Sequence, residues 1–117
     1  MKKAFITGGS GHVGSNLVRK LLKQGWCVRC LVHKDIRGLE GLDVELVNGD
    51  LLDSNFLAQQ MQGCYAVFHV AANVAVENID IELMEKINID GTKAMCRAAL
   101  KANIDRFIHF SSIHAFE

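Results

Sequence analysis

The sequence lacks several features that would direct it to a particular class of function. It has no proline, an absence that by itself indicates no function. It also has no apolar run near the ~18 residues that a membrane-spanning helix needs. Lysine plus arginine balance aspartate plus glutamate at 13 each, so no net charge favours nucleic acid or an anionic membrane. Cys27 and Cys30 have C-x-x-C spacing, but no second C-x-x-C or H-x-x-x-H follows, so no metal site is expected.

The composition is that of one ordered globular domain. At 117 residues, half of them hydrophobic and 22% charged, the chain is long enough for a core and short for a two-domain enzyme. The first residues, MKK, lead directly into a short apolar run rather than into a signal peptide, so we expect a cytoplasmic protein. We expect the four cysteines to be ordinary buried or half-buried thiols.

Apolar runs and helical periodicity alternate along the chain. The apolar runs predict strands at 3–7, 26–33, 44–47, 65–70 and 106–111. Apolar residues at helical spacing predict helices at 12–24, 54–62 and about 81–102, with Ser54 as a cap of the second. Strands that alternate with helices favour a parallel α/β sheet with right-handed crossovers. The prediction is a doubly wound Rossmann sheet in the order 3-2-1-4-5.

A glycine-rich turn joins the first predicted strand to the first helix. Gly8, Gly11 and Gly14 fit G-x-x-G-x-x-G, and Gly9, Gly11 and Gly14 fit G-x-G-x-x-G. Glycine permits a tight strand-to-helix turn, and the helix N-terminus offers free N–H groups to a phosphate. In this strand–turn–helix context the motif predicts a pyrophosphate site. The alternative is a tight turn without a ligand.

The end of the second strand bears on the choice of dinucleotide. A carboxylate about 20 residues beyond the glycine turn would accept the ribose hydroxyls of NAD, whereas a cation accommodates the 2′-phosphate of NADP. The first candidates at this position are His33, which lies 19 residues after Gly14, and Lys34. Asp35, a carboxylate that would favour NAD, follows them. The pattern favours NADP, with NAD as second choice. The alternative is that these charges belong only to a solvated loop.

The ends of the later strands carry weaker signals. Asp50 could accept the adenine amino group under a cover of Leu51, or the segment could be helix-start chemistry, since Asp53 and Ser54 are both good cap residues. These two alternatives are equal from the residues alone. His69 lies within a strand and is expected to be structural rather than a base.

Three further positions are candidates only because of their place in the chain. The pair Ala71 and Ala72 is small enough to let a ligand approach the backbone, but it also suits tight packing. Asn88 is unusual inside a helix, which favours a packing or polar tether role. Ser112 follows the fifth strand and could donate to a substrate oxygen, although a serine pair there is more often a polar turn.

Taken together, the ordered motifs resemble the N-terminal part of an extended short-chain dehydrogenase/reductase. The group is the NAD-dependent epimerase/dehydratase family, in its dihydroflavonol-reductase-like and 3β-hydroxysteroid-dehydrogenase-like branch. The motifs are Thr7-Gly8-x-x-Gly11-x-x-Gly14, Gly49-Asp50-Leu51, His69-Val70-Ala71-Ala72, Asn88-x-x-Gly91-Thr92 and Ser111-Ser112. The resemblance implies an oxidoreductase or epimerase that acts on a secondary alcohol or ketone.

The same resemblance implies roles for individual residues. Ser10, Gly11, His12 and Val13 would cradle the diphosphate, and Asp50 with Leu51 would hold the adenine. Ala71 and Ala72 would line the path to the nicotinamide ribose, Asn88 would tie the long helix to the cofactor, and His33 stands where NADP-preferring relatives often carry arginine. Ser112 matches the catalytic serine.

One departure from the family limits the prediction. The family acid/base is the tyrosine of Tyr-x-x-x-Lys, whereas Tyr65 is the one tyrosine here and His69 stands four residues later. We therefore expect residues 1–117 to be a truncated dinucleotide-binding domain without a substrate domain, inactive alone. An uncovered fifth strand would invite self-association, either through this edge or through the long helix. The alternatives are a non-catalytic dinucleotide sensor or interaction module, and a remnant that binds no ligand.

Overall fold

Five parallel strands form one sheet at the centre of the computed structural model. The structure describes residues 2–9, 11–32, 37–70 and 81–110, and within the last range the side chains of 81–85, 87 and 88 lie outside the description. The strands are β1 (Lys3–Thr7), β2 (Cys27–Val32), β3 (Glu45–Asn48), β4 (Ala66–Val70) and β5 (Arg106–Phe110). Their order is β3-β2-β1-β4-β5, with every neighbouring pair parallel. The predicted doubly wound sheet and its strand order are confirmed.

Three α-helices connect these strands. They are α1 (His12–Lys23), α2 (Ser54–Met61) and α3 (Ile81–Lys101), and a 3-10 turn at Arg37–Leu39 stands within the loop after β2. Each predicted element is present, with ends that differ by at most one residue where the structure describes them. No helix among the described residues is long and apolar enough to cross a membrane.

The start of α2 differs from the prediction by one residue. Asp53, not Ser54, is the N-cap: its backbone is outside the helix and its carboxylate accepts a hydrogen bond from the amide of Phe56 at 3.1 Å. Ser54 is already the first helical residue. The cap therefore satisfies one of the amides that a helix start leaves without an internal partner.

Alternation along the strands divides the core between the two faces of the sheet. Ala4 and Ile6 of β1 pack under α1, in a cluster that also contains Val18 and Leu21 of that helix. Phe5, between them, faces the other way and packs with residues of α2 and α3. The sheet thus carries α1 on one face and the α2–α3 pair on the other, which fixes where the strand ends and helix starts meet.

Two of the four cysteines are buried and two are exposed. Cys30 and Cys64 are buried, while Cys27 and Cys96 are exposed. The expectation of buried or half-buried thiols therefore holds for two of the four. Residues three apart in a strand point to opposite faces, so Cys27 and Cys30 cannot act together on one ligand.

Candidate functional site

The glycine turn lies at the carboxyl end of β1, against the end of the neighbouring strand β4. Gly8 has φ +72°, a left-handed conformation that side-chain-bearing residues rarely adopt. A Cβ there would also lie 2.5 Å from the carbonyl oxygen of Val70, the last residue of β4. Glycine at position 8 is therefore required twice, by the backbone angle and by the close approach of β4.

Gly14 allows the first turn of α1 to close onto the glycine turn. A Cβ at position 14 would overlap the carbonyl of Gly8 and would lie 2.8 Å from the Cα of Gly9. Gly11 is different, because a Cβ there has one neighbour within 4 Å among the described residues, the Gly8 oxygen at an ordinary 3.6 Å. Packing within the described chain thus demands glycine at position 14 but gives no such reason at position 11.

The N-terminus of α1 offers its positive end to the outside of the protein. Its N-cap, Gly11, has no side chain to cap the helix, and the first turn contains no acidic residue. Gly11, His12 and Val13 are exposed, the last at 54%. The start of α2, in contrast, has the Asp53 carboxylate as its cap. The two helix starts therefore differ in their capacity to accept an external anion.

Asp50 and Leu51 lie in the loop between β3 and α2. One carboxylate oxygen of Asp50 accepts a hydrogen bond from the amide of Leu52 at 2.9 Å, so helix-start and turn chemistry is present here. Leu51 packs against α3 at Gly91, where an added Cβ would lie 2.7 Å from a Leu51 methyl group. Helix propensity does not explain the glycine at position 91. Its lack of a side chain leaves the space that the Leu51 side chain occupies.

A buried histidine connects the end of β1 with α3. The Nδ1 atom of His69 lies 2.6 Å from the Thr7 hydroxyl oxygen, and its Nε2 atom lies 3.2 Å from the hydroxyl oxygen of Thr92. Thr7 immediately precedes Gly8, and Thr92 immediately follows Gly91. The prediction that His69 is structural agrees with these contacts, but neither threonine was identified as a site residue from the sequence.

The surroundings of His69 keep its ring neutral. Only 4% of the residue is exposed, and this burial, together with a smaller electrostatic effect of His109, lowers the pKa of His69 to about 4. The ring of His109 stands 5.2 Å from that of His69. A neutral imidazole has one donor and one acceptor nitrogen, so it can bond one hydroxyl in each role.

A buried thiol lies beneath the glycine turn on the α1 side of the sheet. A Cβ at Gly9 would approach the Sγ atom of Cys30 to 3.3 Å. Burial raises the pKa of the Cys30 thiol to about 12, so it stays protonated and unreactive at neutral pH. Cys30 therefore supports the turn by packing.

The structure brings part of the predicted site together. Gly8, Gly11, His12, Val13 and Gly14 form the turn and helix start, and Asp50 and Leu51 stand at the loop after β3. Asn88 lies within α3, and its side chain is outside the description. The other predicted site residues also lie outside the described residues, namely Ser10, His33, Lys34, Ala71, Ala72 and Ser112.

Comparison with known proteins agrees with this geometry. Residues 4–117 match the NAD dependent epimerase/dehydratase family. The chain belongs to that family. The resemblance stated from the motifs is confirmed, and the chain is a domain of that NAD-dependent family.

Three similar proteins illustrate the range of this epimerase/dehydratase family. The "Putative dihydroflavonol 4-reductase" of Synechocystis sp. is 46% identical over 113 residues, which are 95% of this chain and 33% of that protein. The crystal structure of gox2253 is 36% identical with a TM-score of 0.89, over 100% of this chain and 36% of that one. DesIV, a dTDP-glucose 4,6-dehydratase of Streptomyces venezuelae solved with NAD and TYD bound, is 27% identical with a TM-score of 0.80. The match covers 92% of this chain and 38% of the DesIV chain.

The length of the match is itself informative. The chain spans about a third of the length of the relatives and solved structures that it matches. The matched residues of this chain contain the whole of the glycine turn and the five-stranded sheet. The family membership therefore bears directly on cofactor binding.

Proposed function

We propose that residues 1–117 are a dinucleotide-binding domain that holds the diphosphate of NADP(H) at the N-terminus of α1. The observation that carries this proposal is the contrast between two helix starts. The start of α2 has its own carboxylate cap, whereas that of α1 has a glycine N-cap and no acidic residue in its first turn. Exposed amides and the positive end of the helix dipole suit a diphosphate there.

The described residues fit such a group. Packing within the described chain requires glycine at positions 8 and 14 but not at position 11. The small size of Gly11 leaves the room that a close diphosphate needs. The amides of His12, Val13 and Gly14 belong to the first turn of α1, where a helix supplies no internal partner. Asp50 would accept the adenine amino group and Leu51 would cover the ring. The nicotinamide group, when bound, supplies hydride transfer.

The preference for NADP over NAD is inferred from the residues after β2. His33 and Lys34 would place cationic or donor groups near a 2′-phosphate, and no carboxylate precedes them. DesIV was solved with NAD, a reminder that the family name and its structures include the NAD form. NADP(H) is therefore our first choice for this chain and NAD(H) the second.

Calorimetric titration of this chain with NADPH and NADH tests the proposal. We expect both to bind with one-to-one stoichiometry, NADPH about tenfold more tightly because of the additional phosphate contact. Lys34→Ala should remove most of that ratio. Lys23→Ala, which removes the same charge from the exposed last turn of α1, should leave it unchanged. Equal binding of both dinucleotides would contradict the NADP preference, and no binding of either would favour a remnant without a ligand.

In a complete enzyme the proposed chemistry is hydride exchange at a secondary alcohol or ketone. Ser112 would donate a hydrogen bond to the reacting oxygen and so polarise it. Proton transfer to that oxygen needs an acid/base, for which the family uses the tyrosine of Tyr-x-x-x-Lys. We propose that this chain binds the dinucleotide without turning over a substrate.

A non-catalytic dinucleotide sensor or interaction module remains the second candidate. It is favoured by the position of Tyr65, which precedes β4 and therefore lies at the amino end of the sheet, away from the glycine turn. The ring of Tyr65 packs edge-on against Trp26 at 6.0 Å and beneath the Lys2 ammonium group at 4.6 Å. Tyr65 is thus engaged in packing and is no substitute for the missing acid/base.

We further propose that the chain associates with itself through the edge of β5, one of the two surfaces that the sequence indicated. β5 is an edge strand of the described sheet, and Ile108 on it is 37% exposed. Sedimentation velocity should show an apparent mass that rises with concentration, and Ile108→Lys should weaken this dependence. A concentration-independent monomer would contradict the proposal. A cytoplasmic location remains a prediction of the sequence.

A further inference from the structure

A row of side chains in register crosses the sheet at its carboxyl end, next to the candidate site. Thr7 of β1 is in register with His69 of β4, and His69 is in register with His109 of β5. Residues in register on parallel strands point to the same face. Thr92 contacts this row from α3, so the row lies on the face of the sheet that α3 covers.

Each member of the Thr7–His69–Thr92 group adjoins a different part of the proposed dinucleotide site. Thr7 precedes Gly8, whose backbone lies against Val70, the residue after His69. Thr92 follows Gly91, which is in contact with Leu51 on the proposed adenine side. One imidazole ring therefore lies between the diphosphate end and the adenine end of the site.

The chemistry of the ring makes this link directional. In the neutral form one ring nitrogen donates and the other accepts, so the two threonine hydroxyls must take opposite roles. A hydrophobic ring of the same size would leave the buried Thr7 hydroxyl and the partly buried Thr92 hydroxyl without that partner, which is unfavourable. Simple filling of space would not require an imidazole at this position.

We propose that His69 is a positioning residue for the dinucleotide, which sets the spacing between the glycine turn and α3 through its two hydroxyl contacts. This inference rests on the proposed function and extends it from the residues that touch the cofactor to one that acts through them. His69 itself does not contact the diphosphate or the adenine in this proposal. Its effect reaches the site through Thr7 and Gly8 on one side and through Thr92, Gly91 and Leu51 on the other.

A double-mutant cycle on NADPH affinity tests the link. His69→Phe should raise the Kd about tenfold and Thr92→Val about fivefold, each by loss of a hydroxyl–imidazole contact. The double variant should bind no worse than His69→Phe, because both changes act through one ring. His109→Phe, which keeps a ring beside His69 and removes the neighbouring imidazole, should stay within about twofold of the unmodified chain.

Additive effects of the two single changes, or a Kd for folded His69→Phe within about twofold of the unmodified chain, would overturn the proposal. A separate readout applies if the unmodified chain binds no dinucleotide, a result that would refute the proposed function alone. In that case hydrogen exchange should be faster at the amides of 11–14 and 92–95 in His69→Phe than in His109→Phe. Equal exchange in the two variants would refute the positioning role.

The ring nitrogens give a signature that a purely structural role would not. In ¹⁵N spectra of the unmodified chain, His69 should show one protonated and one unprotonated nitrogen, in a single tautomer. Saturation with NADPH should move these two signals more than those of His109. Signals that average between the two tautomers, or that do not respond to bound NADPH, would overturn the proposal.

Discussion

Gly14 lies so close to the carbonyl of Gly8 that no side chain fits between α1 and the glycine turn. This contact ties the first turn of α1 to the end of β1. The helix N-terminus is thereby held at the carboxyl edge of the sheet, where ligands of doubly wound folds bind.

Substitution of two glycines separates packing from ligand space. Gly14→Ala should destabilise the chain by about 2 kcal/mol or more, because the Cβ overlaps backbone that cannot move aside. Gly11→Ala should cost about 1 kcal/mol or less as an N-cap change, since its Cβ has ordinary contacts, yet it should weaken NADPH binding about tenfold or more. Denaturant unfolding and calorimetry measure the two effects. Unchanged affinity in folded Gly11→Ala would contradict the proposed diphosphate position.

Acid should destabilise the fold through His69. Its pKa is about 4 in the folded chain and 6.5 in the unfolded chain, so between these values only the unfolded chain takes up the proton. Stability should be complete above pH 6.5 and should fall as the pH drops towards 4, by up to about 3 kcal/mol. Urea unfolding at a series of pH values should show this loss, and His69→Phe should lack it.

The contribution of the Glu45 carboxylate to the stability of the fold is lost in a different pH range. The hydrogen bond from Arg29 lowers the pKa of Glu45 below its usual 4.5, so its contribution to stability is lost only as the pH falls further. Glu45→Gln should therefore leave the loss between pH 6.5 and 4 largely in place. A loss in that range that persists undiminished in His69→Phe would show that His69 is not its source.

The cap of α2 can be tested with adjacent residues. Asp53→Ala should destabilise the chain by about 1 kcal/mol, because the Phe56 amide loses its carboxylate partner. Ser54→Ala is the matched control and should change stability by less than about 0.5 kcal/mol, since Ser54 is inside the helix. The reverse ranking in thermal or urea unfolding would restore Ser54 as the cap.

The α2 cap also illustrates what the sequence could and could not predict. Asp53 and Ser54 are both favourable cap residues, and the pattern of apolar residues does not distinguish two adjacent starts. Strand order was more accessible, because buried parallel strands are apolar throughout and alternate with helices in the chain. The sheet order 3-2-1-4-5 is that of the dinucleotide-binding form of such sheets, which the glycine turn indicated.

Contacts between distant residues were not accessible in the same way. Thr7 and His69 are 62 residues apart, and His69 and Thr92 are 23 apart, so no local spacing indicates that they meet. Glycine is unfavourable inside a helix, and the reason for it at position 91 is the Leu51 side chain from another loop. Such features depend on how side chains pack across elements.

The chain alone should not turn over a substrate. Without the family's Tyr-x-x-x-Lys pair, no residue is assigned to transfer a proton to or from the substrate oxygen. NADPH oxidation measured at 340 nm against a panel of ketones and aldehydes should stay at the rate of a buffer control. Detectable turnover by the purified chain, lost in Gly11→Ala, would contradict this expectation.

The amide signals of the two compared helix starts test the central claim most directly. In a ¹H–¹⁵N titration with NADPH, the largest shifts should fall on the amides of 11–14 at the start of α1. The amides of 54–56 at the start of α2, where Asp53 is the cap, should shift little. If the amides of 11–14 do not respond at saturating NADPH, or if the two helix starts respond alike, the proposed diphosphate site is wrong.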